Sequence, residues 1–101
     1  MSLSSLAVVP AAEAHAASLS VTVCYNLLAR PEPGVMPRVV ELFAKRGLVP
    51  QKWHSAVSDS GLAIEVQMGG LERDTADYIA RCMRQIVGVE TVLTTETHPF
   101  G

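Results

Sequence analysis

"RPEPGVMPRVVELFAKRGLVP", Arg30 to Pro50, decides the fold. A Pro/Gly-rich turn runs straight into a helical apolar period, and two cations and a glycine close it. Met36, Val39, Val40 and Phe43 recur at i, i+3, i+4 and i+7, which is one face of a helix. Pro37 is tolerated only in the first turn, where its missing N–H has no intrahelical acceptor. The spacing therefore predicts a helix that starts near Val35 or Met36. Lys45 and Arg46 in its last turn suit the negative end of the helix dipole, and Gly47 is a natural C′ residue.

On either side of this helix the period changes to two. Leu19, Val21, Val23, Tyr25 and Leu27 alternate with Ser20, Thr22, Cys24 and Asn26, a half-buried strand that Pro31 and Pro33 cannot continue. Residues 48–58 read as a second, more polar strand, with Gln51, Trp53, Ser55 and Val57 on one face. Ser58-Asp59-Ser60-Gly61 is a tight turn. Leu62, Ile64, Val66 and Met68 mark a third strand, antiparallel to the second, and Gly69-Gly70 is expected to break the chain. A second helix follows over about 72–87, with Ala76, Ile79, Ala80, Met83, Ile86 and Val87 on its apolar face. Residues 89–96 form a fourth strand. The order is βαββαβ. With right-handed crossovers it predicts a ferredoxin-like α+β sandwich: a four-stranded antiparallel sheet carrying both helices on one face. The folded domain is expected over 19–97, between tails at 1–18 and 98–101.

Composition narrows the function. The chain has 101 residues, 49% of them hydrophobic and 18% charged, enough for one modest core. The net charge is -2 and the eight Lys and Arg are scattered, which argues against nucleic acid. An RNA-recognition sandwich would need aromatics on the open face of its central strands, where this sequence has Thr22, Cys24, Ala63, Glu65 and Gln67. No apolar run spans a bilayer. The "AHA" near the N-terminus mimics a cleavage site, but no cation precedes the apolar stretch, and Pro10 and Glu13 interrupt it. Cys24 and Cys82 lie in no CxxC pattern and read as reduced, small hydrophobes of a cytoplasmic protein, a disulfide or metal role being the alternative. No two of His15, His54 and His98 have ligand spacing, and no phosphate loop is present, so neither metal nor cofactor is expected.

Two places remain where a partner could bind. At the turn before the first helix, free backbone N–H groups carry partial positive charge and suit a carboxylate. Gly34 allows close approach, and Arg30 and Arg38 flank the corner. A plain loop capping a helix is the competing reading. The second place is the strand at 48–58, an edge whose unpaired backbone suits a second copy of the chain. Gln51, Trp53 and Ser55 would lie in that interface, although Trp53 equally suits the outer core over the first helix. A catalytic alternative rests only on His54, Arg30, Arg38 and Glu65 sharing a small domain.

The run strand–"PG"–"V-M-x-R-V-x-x-L-F-x-x-R-G" resembles ACT domains, specifically the regulatory small subunit of acetolactate synthase. The matching residues are Pro33, Gly34, Val35, Met36, Arg38, Val39, Phe43, Arg46 and Gly47, and the likeness spans about residues 19–96. The resemblance implies a non-catalytic protein that binds and activates a thiamine-diphosphate-dependent catalytic subunit in branched-chain amino-acid biosynthesis. It implies a side-by-side homodimer with an amino-acid effector near Gly34, Val35, Met36, Arg38 and Val49. The family often has Asn shortly before the turn glycine, and "RG-x-N-I" after the helix. Here Ala29 to Glu32 precede Pro33-Gly34, and Val49 and Pro50 stand at the later positions. The chain looks like the short, single-domain type, in which amino-acid regulation is weak or absent. A stand-alone homodimer sensing an amino acid or another small molecule is the alternative.

Overall fold

The computed structural model describes residues 20–97; the expected tails, and Leu19 at the head of the first strand, lie outside the described residues. Six elements follow in order: β1 Ser20–Ala29, α1 Val35–Ala44, β2 Lys52–Ser58, β3 Gly61–Glu72, α2 Arg73–Arg84 and β4 Val89–Thr97. The four strands form one antiparallel sheet in the order β2-β3-β1-β4. This is the ferredoxin-like βαββαβ arrangement. Tight turns explain β2 beside β3, and helical crossovers explain why β1 pairs with β3 and β4 rather than with β2.

The core lies between the sheet and the helices. Val21, Val23, Tyr25, Leu27 and Ala29 supply the inward side of β1, and Leu62, Ile64, Val66 and Met68 that of β3. Val35, Val39, Leu42 and Phe43 of α1, and Ala76, Ile79, Ala80 and Met83 of α2, close over them. Tyr25 is at the centre. Its ring meets Phe43 edge-on at 6.0 Å, and its hydroxyl donates to the Ala76 carbonyl at 2.8 Å.

Four details differ from the sequence reading, the first being that the second strand begins at Lys52 and not at 48, because residues 48–51 are loop after the helix. Gly69-Gly70 does not break the chain. β3 runs on to Glu72, and the two glycines oppose the single residue Thr22 between the pairs Val21–Leu71 and Val23–Met68. That is a β-bulge, and Gly70 supplies its φ of +72°. The buried face of α1 is rotated, because Leu42 is buried while Val40 is 43% exposed. Val40 lies instead on a surface groove that Trp53 of β2 also lines. Both helices also end early. α1 stops at Ala44, and Arg46 from beyond the helix donates to the Leu42 carbonyl at 2.8 Å, while Val87, past the end of α2, is 70% exposed.

Candidate functional site

The turn after β1 is fastened from two sides. The Arg30 N–H donates to the Gly88 carbonyl at 2.8 Å, tying it to the turn between α2 and β4. The Arg30 guanidinium pairs with the Glu32 carboxylate at 2.9 Å. The Val35 N–H donates to the Glu32 carbonyl at 3.1 Å. That bond uses one of the donors the sequence leaves free, and Pro37 has none to offer. Among the described residues, the N–H of Met36 has no backbone acceptor. The corner therefore keeps fewer donors than the bare helix start promises.

Arg38 makes up for this. Gly34 is helical, with φ −79° and ψ −9°, and no side chain caps it. A Cβ on Gly34 would fall 2.5 Å from Nη1 of Arg38. What approaches Gly34 closely is thus the guanidinium of this chain, laid across the helix start. Among the described residues Arg38 has no carboxylate partner, and Glu32 is taken by Arg30. Its charge adds to the positive end of α1.

Beside this guanidinium a groove of about 800 Å³ runs between α1 and β2. Pro33, Met36, Pro37, Val40 and Trp53 give it an apolar floor, and Arg38 and Glu41 stand on its wall. Trp53 is half-buried against the core, so it serves the outer core and the groove together. Arg38 and Glu41 are three residues apart on one helix side, yet no ion pair joins them. The sequence reading passed over Glu41 and assigned Val40 to the buried face of the helix, not to a groove. The i, i+3 spacing of an acid after Arg38 was the signal for Glu41.

The remaining candidates are placed as follows. Val35 is fully buried, so its side chain belongs to the core. Val49 is 80% exposed in the loop after α1, at the opposite end of that helix from Gly34. Gln51 precedes β2, its amide packed over Gly69 and its N–H bonded to the Gln67 carbonyl at 2.8 Å. Ser55 is half-buried on the same side of β2 as Trp53. His54 and Glu65 face each other across β2 and β3 on the open side of the sheet, by a shallow recess of about 280 Å³. There the Cys24 thiol contacts Glu65 at 3.5 Å. Burial raises its pKa, and the Glu65 carboxylate raises it further, so the thiol is held protonated. Arg30 and Arg38 are elsewhere, and the four groups of the catalytic alternative do not converge.

The family profile of the ACT-like domain matches residues 15–99. The chain belongs to the ACT-like domain family. Its fold recurs in solved structures of low identity. The ACT domain from GTP pyrophosphokinase of Chlorobium tepidum aligns with a TM-score of 0.66 at 12% identity, covering 75% of this chain and 99% of that one. An uncharacterized protein of Thermotoga maritima aligns at 0.62 and 18%, covering 76% and 96%. The regulatory subunit of aspartate kinase from Thermus flavus aligns at 0.52 and 17%, covering 74% and 51%. At these identities the likeness is one of fold. No curated protein matches the chain in sequence. ACT domains are in general regulatory, non-catalytic modules, and they often dimerise.

Proposed function

We propose that this ACT-like domain is a regulatory module that reads a small amino acid in the groove between α1 and β2. The observation that carries the reading is Arg38, unpaired and lying over the helix start beside an apolar groove. An amino acid has three handles, and the groove offers a match for each. Its carboxylate would take Arg38 and the Met36 N–H. Its ammonium would take Glu41. An aliphatic side chain would lie on Met36, Val40 and Trp53. Antiparallel pairing of two copies along β2 would roof the groove. The end of β2 at Val57 is level with Leu62 and Ala29, the residue before the turn. Such pairing brings the other copy's loop, with its Val49, toward the Gly34 corner. That arrangement gives a role to Gly34, Met36, Arg38 and Val49 and none to the buried side chain of Val35.

The partner favoured by the "PG…R…LF..RG" run is the catalytic subunit of acetolactate synthase, which the domain would bind and activate without taking part in the chemistry. Structural neighbours that include a regulatory subunit of aspartate kinase are consistent with a regulatory role. The test combines the tagged full chain with native lysate and assays acetolactate formation in what is recovered. Recovery of a thiamine-dependent enzyme whose activity rises on adding the chain supports this partner. Recovery of none favours the stand-alone sensor. For the effector, an amino-acid panel should raise the melting temperature of the chain. Arg38→Ala should weaken the responding ligand by at least about tenfold, the scale of one charge-assisted hydrogen bond. A panel with no response removes the effector reading.

A further inference from the structure

On the helical layer, Arg38, Lys45, Arg46 and Arg81 outnumber Glu41 and Asp77, the acids one helical turn from them, and among the described residues none of the four forms an ion pair. The Arg46 guanidinium lies 4.9 Å from the centroid of the Tyr78 ring, and that of Arg81 lies 5.7 Å from it. Tyr78 is 47% exposed, a large aromatic kept at the surface by two cations. Beside them a second groove of about 560 Å³ separates α1 from α2. Leu42, Cys82, Ile86 and Val87 give it apolar contact, and Arg38 and Lys45 stand on its edge. Among the described residues the ion pairs are Arg30–Glu32 and Arg73–Glu96, and neither involves Lys45, Arg46 or Arg81. A chain with a net charge of -2 thus carries a local excess of positive charge on one face.

We propose that this face docks an acidic amphipathic helix of a partner protein, whose carboxylates meet Lys45, Arg46 and Arg81 and whose apolar side enters the groove between α1 and α2. Charge complementarity selects the partner: bringing these like charges together costs energy that opposing carboxylates recover. The cleft between two helices receives the ridge of a third. Tyr78 is the aromatic anchor at the centre, the residue type that dominates protein interfaces. The surface shares Arg38 with the groove between α1 and β2, but Arg46, Tyr78 and Arg81 lie outside that groove, and the inference does not depend on the effector reading.

The experiment titrates the full chain into a fluorescein-labelled synthetic helical peptide with a Glu face and a Leu face. Its Gln-for-Glu counterpart and a labelled single-stranded oligonucleotide are run alongside. The acidic peptide should bind in the micromolar range, roughly 1 to 100 μM, and weaken steeply as salt is raised. Arg81→Glu should weaken it by about tenfold or more, and Tyr78→Ala should do the same. Lys45→Gln, at an exposed position past the helix end, gives a weaker loss in a variant that keeps the fold, so a poorly folding Arg81→Glu leaves the test intact. Equal binding of the Gln peptide, no binding of the acidic one, or indifference to all three substitutions overturns the proposal. So does tighter binding of the oligonucleotide, which would make the face a phosphate-backbone surface. Because Arg38 lines both grooves, amino-acid response is read separately at Glu41→Gln, which lines only the groove between α1 and β2, so failure of either proposal is seen without the other.

Discussion

Tyr25 sets a hydroxyl into an otherwise apolar core, and that single group gives the fold a pH dependence. Burial raises its pKa above the ordinary 10.0, and the carboxylates of Asp77 and Glu96 push the same way. The folded state therefore holds the phenol protonated where the unfolded chain begins to ionise it. The stability this contributes is complete below pH 10 and is lost progressively as the pH rises above it. Tyr25→Phe should cost about 1 kcal/mol at neutral pH through the lost bond to Ala76. Above pH 10 its stability should fall less steeply than that of the parent, as denaturant melts across the alkaline range would show. Gly34 makes a second prediction of the opposite kind. An added methyl there meets only the mobile end of Arg38 and requires no unusual backbone angle. Gly34→Ala should change stability by no more than about 0.5 kcal/mol. It should still weaken any amino-acid response, because it pushes the guanidinium off the helix start. Thermal melts with and without the ligand separate the two effects.

At the scale of elements, the turn between α2 and β4 shows what holds the corner in place. Gly88 has φ +101°, and a Cβ on it would fall 3.0 Å from Val35 and 3.1 Å from the Glu32 carboxylate. Its carbonyl accepts the N–H of Arg30. Gly88→Ala combines backbone strain with a clash against a fully buried side chain, so a loss of about 1–3 kcal/mol is expected in denaturant melts. The same element explains what the sequence made legible. Period-two and period-3.6 runs located all six elements, because burial on one face leaves its mark at fixed spacing. The bulge at Gly69-Gly70 was misread as a break, since two adjacent glycines look alike whether a strand ends or makes room for an extra residue. The corner at Gly34 was legible as a helix start, but its occupant was not. Arg38 reaching back over Gly34, and the groove floored by Trp53, arise from contacts between elements that no local pattern records.

For the whole molecule, the sheet has two free edges, β2 and β4, and the cross-strand pairs that each would make with a copy of itself differ. An antiparallel pairing of β4 centred on Leu93 would set Glu90 opposite Glu96 of the other copy, like charges face to face. The same operation on β2, centred on Ser55, sets Lys52 opposite Ser58 and Trp53 opposite Val57. No like charges meet, and an aromatic faces a β-branched residue, a favourable cross-strand pair. Val57 is 67% exposed in the single chain, so it has contact area to gain. The expected assembly is thus a twofold dimer through β2, with the α1–β2 groove closed at the seam. Val57→Lys places a cation opposite Trp53 at a position that costs the isolated chain little. Sedimentation equilibrium should show the dimer dissociating at least about tenfold more readily, the effect of roughly 1.4 kcal/mol. The melting temperature at low concentration should stay near that of the parent. If the parent sediments as a monomer, or if Val57→Lys leaves its dimer intact, β2 is not the seam. The groove proposed for an amino acid would then have to work without a roof.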